Sequence, residues 1–386
     1  MAQQLTYNVG MDIYEQSKKL HREKKGKISI VARDKLDTRE KLSLYYTPGM
    51  GGVATEAAAG REALNPYSWI NNNLAVVSDG SAVLGLGDIG PYGAMPVMEG
   101  KAMIFKEFAN IDAVPIVLNV HTTDEIVDVV KAIAPSFGAI NIEDIAAPKC
   151  FEIEERLKNE LSIPVMHDDQ HGTAVVVLAA LINAMKVTEK KLSDCKVTIV
   201  GAGAAGVAVS KLIYLYAKPQ IIAVDSKGII EPARQDLNEE KKMLLEFSKD
   251  TRPGTLQDAI KDADIFIGLS RGNLLTSEDI KSMGSGAIVF AMANPTPEIL
   301  PHEAKTGGAK VVATGRSDFA NQINNVLAFP GIFRGALDNG VHKITDDHKI
   351  AAATAIASLV ENVTKDEIMP SVLDPRLVPA IAKVIK

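Results

Sequence analysis

Cysteine is scarce in this chain of 386 residues: only Cys150 and Cys195 occur, outside any CxxC pattern. That excludes a disulfide framework and leaves no thiolate set for zinc, so both are expected to be reduced and structural. An excess of basic charge is missing as well. The formal net charge of −6 provides no field for a phosphate backbone or an anionic membrane surface. The longest uncharged apolar stretch, Ala174 to Met185, is interrupted by Asn183 and falls short of the ~20 residues of a membrane helix. The opening MAQQLTYNVGMD carries neither the basic region nor the apolar core of a signal peptide. No repeat or low-complexity tract competes with a globular reading. These absences predict a cytoplasmic protein with neither nucleic acid nor membrane as partner.

What is present is ordinary globular material, 46% hydrophobic and 23% charged, long enough for two domains at roughly 150 residues each. Residues 12–25 read as a charged helix, and 37–65 as a Gly- and Ala-rich stretch with a turn at Thr-Pro-Gly. Beyond it, β-branched runs at 75–77, 115–120, 139–142 and 163–166 alternate with helical patterns at 124–133 and 151–160. This alternation is that of parallel βαβ units. It restarts at Lys196 with VTIV, a Gly-rich turn, a helix to about Ala217 and the strand IIAVD, and strands follow at 264–269, 287–291 and 310–313. A helix over Thr173 to Met185 separates the two series. The expected fold is therefore α/β with two domains: residues 1–165 with a mostly parallel sheet, and residues 166–386 as a Rossmann dinucleotide-binding domain. Helical patterns at 347–360 and 375–385 close the chain.

Gly201, Gly203 and Gly206, with Ala204 and Ala205 between them, form GAGAAG directly after an apolar strand and before an apolar-periodic helix. In that context glycines allow a tight turn and close approach to a pyrophosphate, which the helix N-terminus attracts. Asp225 ends the next strand, where a carboxylate accepts hydrogen bonds from the adenosine ribose and repels the extra phosphate of NADP. NAD is thus slightly favoured, although Lys227 is close enough to neutralise the repulsion, and NADP stays open.

The run at 139–142 ends in Glu143 and Asp144, and the run at 163–166 leads into His167, Asp168 and Asp169. If those strands are adjacent and parallel, roughly 4.8 Å apart, their carboxyl ends gather three or four carboxylates. Hard oxygen donors of this kind suit Mg²⁺ or Mn²⁺.

The ordered motifs YTPGMGGVA from Tyr46, LGLGDIGPYGAMPVMEGK up to Lys101, NIED to Asp144, HDDQHGTA from His167, GAGAAG, ANPTPE from Ala293 and NQINNVLAFPG from Asn321 together resemble the malic enzyme family, in its short bacterial and archaeal form. The resemblance implies metal-dependent oxidative decarboxylation of (S)-malate to pyruvate and CO2 with reduction of NAD(P), decarboxylation of oxaloacetate, and a homodimer. It makes Glu143, Asp144 and Asp169 the metal ligands, with Asp168 beside them. Lys101 becomes the general base, unprotonated and tuned downward by the cation and partial burial. Tyr46 becomes the general acid, with Tyr45 its neighbouring rival. Asn294 and Asn325, with Asn324, hold the malate carboxylates, Asn294 also facing the cofactor; the alternative for Asn324 and Asn325 is to cap the helix that follows. His167 and His171 are expected to hydrogen-bond rather than ligate. One departure stands out. Larger animal-type members carry an arginine two residues before LGLGD, as a substrate-carboxylate clamp, and this chain has Ala82.

Overall fold

The computed structural model describes residues 12–83, 85–248 and 252–386; residues 1–11, read above for a leader, and Leu84 of the LGLGD motif lie outside them. Two largely parallel sheets form. In the first, β1 (Asn73–Ser78), β2 (Asp112–Val117), β3 (Ile140–Ile142) and β4 (Val165–His167) lie in the order β2-β1-β3-β4, every pair parallel. All six residues of β1 are buried, as a strand covered on both faces requires. β2 starts three residues before the apolar run that announces it. Pairing from Asn73 with Asp112 to Ser78 with Val117 sets its limits, and the end of the run passes into a loop.

The second sheet contains β5 (Lys196–Val200), β6 (Gln220–Asp225), β7 (Gly228–Ile229), β8 (Ile265–Gly268), β9 (Ile288–Ala291) and β10 (Val311–Thr314), in the order β10-β9-β8-β5-β6-β7. This is the doubly wound dinucleotide-binding order, except that the third strand is replaced by β7, which folds back antiparallel on β6. Two residues are too short a run to be announced by periodicity.

Helices α1 (Ile13–Lys24), α2 (Arg39–Tyr45), α3 (Met50–Ala57) and α4 (Arg61–Leu64) bury none of their residues. Only α1 is expected from sequence. The Gly-rich signal of TPGMGG reads as a turn, yet α3 begins inside it, because the Ala- and Glu-rich residues that follow favour a helix. α5 (Gly90–Ala109), α6 (Thr123–Ile133) and α7 (Lys149–Glu160) cover the first sheet. α8 (Asp168–Thr188) begins five residues before the apolar pattern does, since its first turn is polar. By length and composition it could cross a bilayer, but most of it is buried inside the protein. It joins the sheets: one continuous core contains Val76 of β1, Phe105 of α5, Val177 and Leu181 of α8, Val197 of β5 and Ile288 of β9. α9 (Ala204–Ala217) packs on α8, as does the later helix Asp346–Ser358, and Leu377–Ala382 packs on Phe329–Asp338.

Candidate active site

The acidic residues meet because of strand register. β3 and β4 pair Ile142 with His167, so Glu143 and Asp144 leave one strand end where Asp168 and Asp169 open α8 from the other. Asp144 takes a φ of 51°, a left-handed conformation that aspartate tolerates. Its amide donates to Asp169 Oδ2 at 2.7 Å. From α5, Lys101 Nζ reaches Asp168 Oδ2 at 2.6 Å and Glu143 Oε2 at 3.0 Å, and stands 4.8 Å from the centre of the Phe329 ring. Both carboxylates are fully buried. Burial by itself would lower the Lys101 pKa, but Asp168, Glu143 and Asp169 outweigh it and hold the amine above its ordinary value. Of the two causes of downward tuning expected from sequence, burial acts in that direction here, against three carboxylates that a bound cation would compensate. Glu143 is shifted the other way from a typical paired carboxylate: burial raises it well above its ordinary value, only partly offset by Lys101.

Neighbouring side chains hold these groups. Asn325 Nδ2 donates to Asp168 Oδ2 at 2.5 Å, Asn141 Nδ2 to Glu143 Oε1 at 2.7 Å, and His167 Nε2 lies 3.0 Å from Asp169 Oδ2. Behind them Glu154 of α7 accepts from the His167 amide at 2.9 Å, meets His171 Nε2 at 2.8 Å and pairs with Lys158 at 2.5 Å. Both histidines are thus engaged with carboxylates. Glu154 was not foreseen, since nothing but tertiary proximity ties it to the HDDQH motif.

Three buried oxygens, Asn141 Oδ1, Glu143 Oε2 and Asp168 Oδ1, accept no hydrogen bond; Glu143 Oε2 is near Lys101 without the alignment of one. Orphaned acceptors at the centre of a hard oxygen set fit a divalent cation. Among the described residues, however, no three acidic, His or Cys side chains already converge as ligands. Lys101 stands between Glu143 and Asp168, and Asp169 is drawn to the Asp144 amide and His167.

A cavity of about 270 Å³ opens beside this cluster, lined by Asp169, Thr173, Ala205, Asn294, Asn324 and Asn325. It shares Leu269 and Ser270 with a cavity of about 710 Å³ lined by Gly201, Gly203, Asp225 and Lys227. At the turn between them, Gly201 has φ +113°, and a Cβ on Gly206 would lie 1.7 Å from the Gly201 carbonyl oxygen. Gly203 faces open space, and Ala204 begins α9, whose first amides are free for an anion. Asn324 caps the short 3-10 turn Asn325–Leu327, accepting from the Val326 amide at 2.9 Å, while the helix Phe329–Asp338 has no side-chain cap; Asn324 also lines the cavity. Glu298, the last residue of ANPTPE, accepts from the Ser270 and Ala293 amides at 3.1 Å each and so ties together the loops after β8 and β9.

Not every expected residue is brought in. Tyr46 follows α2 with 69% of its surface exposed, and Tyr45 donates to Asp34 at 3.1 Å; neither lines either cavity. Ala82 has no side chain to bind a carboxylate, and its amide donates to the Asp144 carbonyl at 2.9 Å. Lys227 turns its ammonium to Asp236 at 2.9 Å, while Asp225 is gripped by Arg234 and Lys241. Those two cations were missed, because no spacing rule places them at a strand end.

Comparison with known proteins agrees with a dinucleotide-binding cleft. A family model described as the malic enzyme N-terminal domain matches residues 25–124 and 121–158, and one described as the malic enzyme NAD-binding domain matches residues 170–383. The chain is 49% identical over 379 residues to a bifunctional malic/malolactic enzyme of Bacillus subtilis, covering 97% of this chain and 92% of that one. It is 52% identical over 366 residues to an NAD-dependent malic enzyme of Geobacillus stearothermophilus, covering 93% and 76%. A crystal structure of an NAD-dependent malic enzyme from Thermotoga maritima superposes with a TM-score of 0.93 at 47% identity, covering 97% of this chain and 99% of that one. With both domains matched in order and the strand ends assembled as the motifs require, the chain belongs to the malic enzyme family.

Proposed function

We propose that the chain oxidatively decarboxylates (S)-malate to pyruvate and CO2, with NAD as principal acceptor and NADP also accepted. The observation that carries this reading is Lys101 held between Glu143 and Asp168 beside a cavity that shares Leu269 and Ser270 with the dinucleotide cleft. Glu143, Asp144 and Asp169 would hold Mg²⁺ or Mn²⁺, which when bound supplies Lewis acidity to the substrate oxygens and compensates the carboxylate charge. Lys101 Nζ then takes the proton of the C2 hydroxyl, and Asp168 with Asn325 fixes the amine in place. Asn294, Asn324 and Asn325 offer amide donors to the two carboxylates of malate. The Gly201 turn and the first amides of α9 hold the pyrophosphate of the dinucleotide, which supplies the two-electron acceptor. Tyr46 Oη protonates C3.

A second copy of the chain would cover this exposed tyrosine and bring it to a site. The protein is therefore proposed to be a homodimer in which Tyr46 of the partner subunit completes each site. The division at about residue 165 then separates a substrate- and metal-binding part from the dinucleotide-binding part, with α8 spanning both.

Purified protein given malate, NAD or NADP and Mn²⁺ should form pyruvate and reduced dinucleotide in equal amounts, and exhaustive chelation should stop it. Absence of turnover with both dinucleotides, or full activity after chelation, would overturn the reading.

A further inference from the structure

Asp225 ends β6, in the position from which a carboxylate ordinarily accepts from the adenosine ribose and rejects a 2′-phosphate. Here its acceptor capacity is already taken. Oδ1 accepts from the Lys227 amide at 2.9 Å and from Arg234 Nη1 at 2.9 Å; Oδ2 accepts from Arg234 Nη2 at 2.8 Å and Lys241 Nζ at 2.7 Å. A carboxylate offers about four lone-pair sites, and four donors fill them. The side chain is 6% exposed.

The donors are themselves fixed. Arg234 is held from its other side by Asp236, at 3.0 Å through Nε and 2.9 Å through Nη2, and Asp236 also receives Lys227 Nζ at 2.9 Å. Lys241 comes from the first turn of the helix Glu239–Phe247, which Asn238 caps. Counting Asp225 and Asp236 against Lys227, Arg234 and Lys241, the group carries two negative and three positive charges. The strand end that faces the cleft is thus not the uncompensated anion that its sequence suggests. Asp225 and Lys227 line the cavity, whereas Arg234 and Lys241 do not.

We infer that Arg234 and Lys241 are the residues that set this enzyme's tolerance for the 2′-phosphate of NADP, acting as positioning residues that saturate and neutralise Asp225 rather than by touching the dinucleotide. The inference rests on the dinucleotide-binding reading above and deepens it. Asp225 is a discriminator kept disarmed. Removing a cation frees one acceptor site on Asp225 and takes one positive charge from the cleft, which a ribose hydroxyl tolerates and a phosphate does not.

The test is fluorescence titration of NADH and NADPH into the full chain, alongside kcat/KM for NAD and NADP, for wild type, Lys241→Met, Arg234→Met and the double variant Asp225→Asn/Lys241→Met. Lys241→Met should weaken NADPH relative to NADH by about tenfold or more, as expected for the loss of one positive charge near a phosphate in a partly solvated site. Arg234→Met should act in the same direction. The double variant, with the charge gone, should return the NADPH-to-NADH ratio to near the wild-type value. Equal losses for both dinucleotides in Lys241→Met, or a ratio that Asp225→Asn fails to restore, would mean that the cations serve structure alone and would overturn the inference. If wild type bound neither NADH nor NADPH, the dinucleotide reading itself would fall and the inference with it.

Discussion

Lys101 is 15% exposed at its side chain, and its partners Glu143 and Asp168 are at most 1% exposed. Removing its ammonium therefore has two consequences that can be told apart. As a general base, its loss should lower kcat by about 10² to 10⁴. As the counter-charge of two buried carboxylates, its loss should also destabilise the fold, by about 3–5 kcal/mol where a buried partner is left uncompensated. For Lys101→Met the expected result is a low kcat and a lower urea midpoint, with Mn²⁺ restoring part of the midpoint but none of the rate. Mn²⁺ can replace the missing charge and not the proton acceptor. A variant with wild-type kcat would remove Lys101 from the chemistry.

At the scale of elements, the approach of α9 to β5 decides whether a dinucleotide can be held at all. Gly206 is the contact point, since a Cβ there would lie 1.7 Å from the Gly201 carbonyl oxygen, whereas a Cβ on Gly203 meets nothing within 4 Å. The two substitutions should therefore differ. Gly206→Ala forces the helix off the strand, with an overpacking cost of about 1–3 kcal/mol, and should lower Tm together with NADH affinity. Gly203→Ala should keep the wild-type Tm and lose NADH affinity alone, because its methyl occupies the space through which the pyrophosphate approaches. A Gly203→Ala protein that bound NADH as wild type does would show that the phosphates lie elsewhere. α8 has an analogous role for the acidic site. Its buried length fixes Asp168 and Asp169 relative to both sheets, so these carboxylates are placed by the core and not by a flexible loop.

At the scale of the whole molecule, residues 12–69 contain no buried residue, although Lys27 and Arg61 donate to the Pro96 and Phe137 carbonyls. α1 to α4 bury nothing, and Ile30, Val31, Leu44 and Tyr46 are all more than half exposed, as is Tyr92. Exposed apolar side chains of this kind are available to an interface, and a two-fold dimer would present the same ones from both copies. If each site takes its acid from the partner subunit and its base from its own chain, inactive variants should complement one another. Tyr46→Phe and Lys101→Ala chains, each inactive alone, should on mixing regain up to about a quarter of wild-type activity, since half of randomly mixed dimers would hold one intact site of two. No gain after demonstrated subunit exchange would place Tyr46 and Lys101 in the same chain's site.

Much of this was legible in the primary sequence. Apolar periodicity located both sheets to within a few residues, because burial on both faces imposes the pattern directly. The strand ends carrying Glu143, Asp144, Asp168 and Asp169 followed from the assumption of adjacent parallel strands, which the register of Ile142 with His167 bears out. GAGAAG was readable because its glycines answer to local sterics. What sequence left undecided depends on pairings between distant segments. The upward shift of Lys101 comes from three carboxylates converging on one amine, and the grip of Glu154 on His167 and His171 comes from α7 packing on β4. The saturation of Asp225 by Arg234 and Lys241 depends on where a loop and a helix return to the strand end. Local physics determined the elements and the types of residue at their ends; only the tertiary structure decided which charges share a low-dielectric space, and there a neighbour's position decides more than its identity.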